Sequence, residues 1–195
     1  MKRTLVIACG ALARELIAVK SLNGLDHLDI TCLPAILHNR PQEIAPAVRR
    51  KIRAARTQYE DILCLYGDCG TGGALDAVLA EEGVERIEGA HCYAFYAGLE
   101  AFDREMEQEI GTFFLTDYLA RHFERLVWKG LGLDRFPELR DTYFQHYKRV
   151  VHLVQMEDPA IAARALAAAK RLALPLETRF TGYGLMQPFL KRETA

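Results

Sequence analysis

Four residues of this chain have the types and the places for metal or thiol chemistry: Cys9, His38, Cys69 and Cys92. Cys9 closes the apolar run TLVIA, and His38 lies in AILHNR after LDITCLP. Cys69 sits within YGDCGTGG after DILCL, and Cys92 follows VERIEG. Each falls just beyond a predicted strand. Thiolates gathered without a cation repel one another and oxidise readily. Three thiolates and one imidazole form a tetrahedral set suited to Zn²⁺, with ligand atoms ~3.5–4 Å apart. Zinc is therefore the expected cofactor, with iron or an iron–sulfur cluster as the alternative, because soft ligands do not select one metal. No CxxC occurs, so the inference rests on topology rather than on ligand spacing.

The same residues allow other chemistry. His38 lies near a predicted helix start, where a neutral imidazole can act as acid or base. A nucleophilic Cys69 or Cys92 with His38 as its base is one such arrangement, and His91 is an alternative ligand beside Cys92. The GTGG stretch offers Gly70 and Gly72 as backbone donors to an anion at the next helix N-terminus. GxxxxGK[ST] and GxGxxG are both absent, as are GxSxG and HExxH. Cys32 and Cys64 lie inside apolar strand runs and are expected to pack as small hydrophobes. His122 and His146 read as surface or packing residues.

The elements that must position these residues alternate. TLVIA (4–8), LDITCLP (28–34), DILCLY (61–66) and VERIEG (84–89) read as strands, each followed by a helical pattern. The first helix has Leu12, Leu16, Ile17 and Val19 as its expected apolar face and stops at Asn23-Gly24. The second opens at Pro41, with acids early and bases late. Residues 106–149 change to aromatic-rich, mostly helical sequence and read as a helical insertion or cap. VVHLVQM (150–156) gives a fifth strand. An Ala-rich helix follows with Asp158 at its N-cap and Pro159 at N1, then a last strand over 175–182 and a terminal turn. Such alternation predicts an α/β fold: one Rossmann-like domain over 1–195 with an open, mostly parallel sheet and flanking helices. Ligands of such sheets bind beyond the carboxyl ends of the strands, the edge to which the four residues map.

The chain of 195 residues is 50% hydrophobic and 26% charged, with a net charge of −1. That length buries a core without disulfide or metal staples, so a metal here is expected to be functional. No basic stripe marks a nucleic-acid partner; RRKIRAAR (49–56) reads as a solvated helix face. The segment MKRTLVIACGALARELI reads as strand and helix rather than a leader, because Arg14 and Glu15 interrupt its apolar run. No run approaches the ~20 apolar residues of a membrane span. Five widely spaced cysteines do not form a disulfide framework. A cytoplasmic location is expected.

The order Cys9-Gly10-Ala11-Leu12, Leu37-His38 with Pro41, Tyr66-Gly67-Asp68-Cys69-Gly70, Cys92, and Gly111-Thr112-Phe113-Phe114-Leu115-Thr116 resembles the uncharacterised DUF1638 family. Relatives usually carry a tryptophan soon after the Leu-Thr pair, where this chain has Asp117 and Tyr118. The resemblance implies an association with corrinoid-dependent methyl transfer, and so corrinoid-methyltransferase proteins as partners. Two readings follow. One is a metal-binding protein, an enzyme or a metal or one-carbon carrier, using a Cys₃His site. The other is a non-catalytic module for a small ligand, corrinoid or partner, in which the cysteines are turn residues.

Overall fold

The computed structural model describes residues 3–192. They fall into two compact units, divided after Leu99 and after Gly182. Every strand pairing is parallel, and helices connect the strands, so the fold is α/β. The strands form two sheets, of four and three strands, where the alternation of the sequence predicts one.

The first unit begins with β1 (Thr4–Cys9), whose six residues are all buried. Val6 and Ile7 are β-branched, and a strand covered on both faces takes an unbroken apolar run. A 3₁₀ turn (Gly10–Leu12) leads into α1 (Ala13–Leu22). Asn23 ends this helix by donating its side-chain amide to the Val19 carbonyl at 2.8 Å. Leu12, Leu16 and Val19 are buried as expected, but Ile17 is 62% exposed; it stands one position off the stripe and points to solvent. β2 (Leu28–Leu33) follows, then two 3₁₀ turns (Ala35–Asn39 and Pro41–Glu43) and α2 (Ile44–Ala55). β3 (Asp61–Leu65) precedes the glycine loop and α3 (Ala74–Glu82). β4 (Glu85–Arg86) is only two residues long, and α4 (Cys92–Ala97) comes next. The sheet order is β2-β1-β3-β4. A C-terminal helix, Met186–Arg192, completes the unit where the sequence suggests only a turn. The basic segment over 49–56 is not simply solvated: Arg53 pairs with Glu82 at 2.7 Å, and Arg49 pairs with Glu81, tying α2 to α3.

The second unit runs through α5 (Leu99–Gln108), β5 (Thr112–Thr116), α6 (Asp117–Phe123), a π-helical turn (Glu124–Trp128), α7 (Leu139–Phe144), β6 (Arg149–Val154), α8 (Pro159–Leu172) and β7 (Leu176–Phe180). Its sheet order is β5-β6-β7. β5 lies within the segment whose sequence reads as helical. It is a strand buried along nearly its whole length, with Phe113 and Leu115 packed on the core that α8 and Trp128 share. Asp158 caps α8 as expected, accepting from the Ala160 amide at 2.9 Å and from Ile161. Ala165, Ala168 and Ala169 are almost fully buried; small side chains suit the close packing of α8 on α6. A second cluster of charges binds the unit together: Glu105 pairs with Arg149 at 2.5 Å and with Arg179, and both arginines also pair with Glu177.

Candidate functional site

In the first unit the chain passes from β1 to β2 on one side, then returns across β1 to form β3 on the other. The carboxyl ends of β1 and β3 therefore flank a topological switch point, where a crevice opens in sheets of this kind. Cys9 ends β1 and is 3% exposed. Its Sγ accepts the Ala11 amide at 3.3 Å, capping the 3₁₀ turn. Gly10 suits this turn, because a Cβ at that position would lie 3.0 Å from the Leu33 carbonyl oxygen and force the backbone to give by a few tenths of an ångström.

His38 lies in the 3₁₀ turn after β2. Its Nδ1 is 3.7 Å from Cys9 Sγ and 3.1 Å from the Ala35 carbonyl oxygen. A carbonyl only accepts, so the Ala35 contact places the proton of the neutral ring on Nδ1 and leaves a lone pair on Nε2. A backbone carbonyl on one ring nitrogen is the usual way to prepare the other as a ligand or base. Although the residue is exposed, the protein around its ring lowers the His38 pKa, partly offset by the Ala35 hydrogen bond, and His91 adds repulsion.

The loop after β3 is pinned to the segment before α4. The Asp68 amide donates to Gly89 and the Cys69 amide to Ala90, at 3.2 and 2.9 Å. A Cβ on Gly67 would lie 3.0 Å from the Ala90 carbonyl oxygen, so a larger residue would push the two segments apart by a few tenths of an ångström. Cys69 itself takes φ = 50°, a left-handed conformation that non-glycine residues adopt rarely. Cys92 is the first residue of α4, two positions beyond Ala90. The loop's donors are already engaged. The Asp68 carboxylate accepts from Thr71 Oγ1 at 2.6 Å, from the Gly73 amide at 2.9 Å and from the Gly72 amide at 3.2 Å. Burial alone would raise the Asp68 carboxyl, but these donors outweigh it and hold its pKa below the usual value. The anion expected at Gly70 and Gly72 thus has an internal counterpart.

Cys9, Cys69 and Cys92 share one electrostatic environment. Burial pushes the Cys9 thiol up to about 11 and the Cys69 thiol up to about 12. It also raises Cys92 well above an ordinary thiol, and Cys69 and Cys9 add to that rise. All three are neutral thiols at pH 7, beside an imidazole whose own protonation is disfavoured. A thiolate–imidazolium pair, the activated form of a Cys–His nucleophile, is disfavoured from both sides. Among the described residues no group of three or more His, Cys, Asp and Glu side chains stands in a metal-holding arrangement.

The remaining candidates lie elsewhere. Cys64 is fully buried in β3, as expected for packing, whereas Cys32 in β2 is only half-buried. His91 is exposed at the N-cap of α4, near Tyr93. His122 packs against the Tyr118 ring at 4.6 Å, and His146 is exposed. Sequence reasoning passes over Tyr66, which follows β3 directly. Its ring stacks with His38 at 6.5 Å, and its buried hydroxyl lies beside the Cys9 thiol without an aligned hydrogen bond. Burial raises its pKa, and the Cys9 thiol adds to the rise. The legible signal was a polar-tipped aromatic at the end of an otherwise apolar strand.

A sequence model of the family described as "Protein of unknown function (DUF1638)" matches residues 32–190. The chain belongs to this family. The match takes in three of the candidate residues, His38, Cys69 and Cys92, while Cys9 lies before its first residue. Among solved structures the chain is similar to ornithine carbamoyltransferase from Pyrococcus furiosus, at 11% identity and a TM-score of 0.31. That alignment covers 92% of this chain and 54% of the carbamoyltransferase, so the DUF1638 chain spans about half of that enzyme's length. The comparison with curated proteins gives no match. No helix among the described residues is long and apolar enough to cross a membrane.

Proposed function

We propose that this protein binds a soft metal ion, zinc in the first instance, at the switch point of its first unit, with Cys9, His38, Cys69 and Cys92 as ligands. The observation that carries the reading is the shared electrostatic environment of one buried and two half-buried thiols, with His38 Nδ1 held 3.7 Å from Cys9 Sγ. A cation inverts the logic of such a cluster: it draws the protons off the thiols and stabilises the thiolates that burial opposes. Ala35 holds the proton on Nδ1, the nitrogen beside Cys9, so coordination takes Nε2 and requires the His38 ring to turn. Binding requires the four side chains to close on the ion from their described positions. With four tight ligands the site is structural or a carrier; with one displaceable ligand the metal activates a thiol for methyl transfer or a water for hydrolysis. A corrinoid-methyltransferase partner belongs to the methyl-transfer form of this proposal.

The test is metal analysis of protein purified without added metal, followed by titration with Zn²⁺ and Fe²⁺. Near-stoichiometric metal, lost in Cys69→Ser, is the expected result; absorption near 400 nm would replace zinc with an iron–sulfur cluster. A folded protein that takes up neither ion sinks the proposal. The cysteines would then be turn residues, a reading that the Cys9 cap on Ala11 favours.

A further inference from the structure

The second unit contains a buried acid–imidazole pair that the metal reading does not use. His152 is the single polar side chain in the run VVHLV of β6 and is 1% exposed. Its Nε2 lies 2.9 Å from Asp117 Oδ1. The other carboxylate oxygen accepts the Gln155 and Met156 amides at 3.1 and 2.9 Å. The Asp117 amide in turn donates to Gln155 Oε1 at 2.7 Å. Asp117 is thus fixed from several sides, and it fixes the proton of His152 on Nε2. In the neutral ring Nδ1 then carries a lone pair, and this atom is buried with no hydrogen-bond partner. Buried polar atoms in native proteins are paired as a rule, and an orphan calls for a specific explanation. A pair serving only to tie β5 to β6 has no use for an uncompensated nitrogen.

The surroundings supply one. His152 lines a pocket of about 310 Å³, at the lower end of the range for small-molecule sites, with Val154, Met156, Pro159, Ile161 and Phe180 among its walls. His152 and Val154 pair in register with Thr178 and Phe180 of β7, so the four side chains share one face of the sheet. Phe180 is 67% exposed, so the pocket reaches the surface at that end. The walls are largely apolar, and Glu157 and Asp158 on the same lining disfavour an anion.

We propose that the second unit carries a ligand site of its own, in which the pocket wall at His152 yields slightly on binding and Nδ1, oriented by Asp117 and closed to solvent in the free protein, accepts the hydroxyl of a small, uncharged, largely apolar molecule. The pocket dimensions fit a single ring or a short branched chain, with Phe180 as the apolar wall at the mouth. The site stands on residues of the second unit alone and is independent of metal binding in the first.

The experiment uses the full chain labelled with ¹⁵N, long-range ¹H–¹⁵N correlation spectra of His152, and phenol, toluene and benzoate as probes. Free protein is expected to show His152 as the Nε2–H tautomer. Phenol should shift Nδ1 saturably and bind roughly tenfold more tightly than toluene, the worth of one hydrogen bond to a buried acceptor. Benzoate should bind more weakly than phenol. Ala162→Leu, on the pocket lining but outside the pair, should remove phenol binding while leaving the tautomer and the fold intact. A protonated Nδ1 in the free protein, equal affinity for phenol and toluene, or an Nδ1 unmoved at saturating phenol would overturn the proposal.

Discussion

The two units solve the placement of polar chemistry in a parallel sheet differently. In the first, the reactive groups sit in loops beyond the strands, and the order β2-β1-β3-β4 gathers those loops by reversing around β1. In the second, the order β5-β6-β7 contains no reversal, and the polar pair is instead drawn from within β6 and from the residue just past β5. The first arrangement exposes its groups to closure on a ligand. The second commits its carboxylate to fixed backbone donors before any ligand arrives. Thiols of raised pKa in one unit are held protonated by burial, whereas the imidazole in the other is held in a chosen tautomer by a carboxylate.

This contrast breaks most sharply at Asp117. Replacing it with Ala leaves His152 Nε2 and the Gln155 and Met156 amides without their acceptor. The expected loss is at least about 3 kcal/mol, since three donors lose their acceptor at roughly 1–3 kcal/mol each, read from urea unfolding. A loss below about 1 kcal/mol would mean that the pair does not organise the second unit.

Metal is the next largest lever and should act on the first unit. Zinc at a hundredfold excess over its dissociation constant should stabilise the protein by about 2.7 kcal/mol. Thermal unfolding with and without zinc, in wild type and Cys69→Ser, checks this; an equal rise in both would place the ion elsewhere. A pH profile sharpens the same point. Cys9 has its pKa raised to about 11 from an ordinary 9.0, so above pH 9 the unfolded chain has released a proton that the folded chain still holds. The stability contributed is complete below pH 9 and is lost as pH rises through 11. Metal-free protein should lose roughly 1 kcal/mol through Cys9 by pH 10, whereas zinc affinity should rise with pH as thiols deprotonate. Urea midpoints at pH 7 and pH 10, with Cys9→Ser as control, measure the first effect; a midpoint that rises with pH would contradict it. The smallest effect belongs to the surface pairs of α2. Arg53→Ala should cost only about 0.2–1 kcal/mol, with the difference shrinking in high salt. A larger, salt-insensitive loss would show that the contact with Glu82 carries packing as well as charge.

Much of this was legible in the sequence wherever local pattern decided structure. The apolar runs of β1 and β3, the Asp158 cap and the Asn23 stop all follow from neighbouring residues. The division into two sheets did not, because alternation fixes the sense of a crossover and not which strands share a ladder. TFFLT was obscured by its aromatic, helix-flanked setting, although Thr112, Phe114 and Thr116 alternate with Phe113 and Leu115 across the strand. The thiol positions were legible because position after a strand is itself a rule for this fold class. Asp117 and His152 were not, since 35 residues separate them and each has a bland local reading as a helix-start acid or a strand histidine. Asp68 shows the converse: its glycine loop invites an outside anion, while the residue satisfying the loop is part of it.

The single tryptophan of the chain, Trp128, is packed in the second unit with the Arg171 guanidinium 3.8 Å from its ring centre. Intrinsic tryptophan emission therefore watches one unit only. Far-ultraviolet ellipticity records both, so a lag between the two signals during denaturation reads directly as the difference in resilience between the thiol-bearing and the imidazole-bearing halves. A fluorophore placed by packing thus gives each substitution above its own assignable optical trace, with no label added.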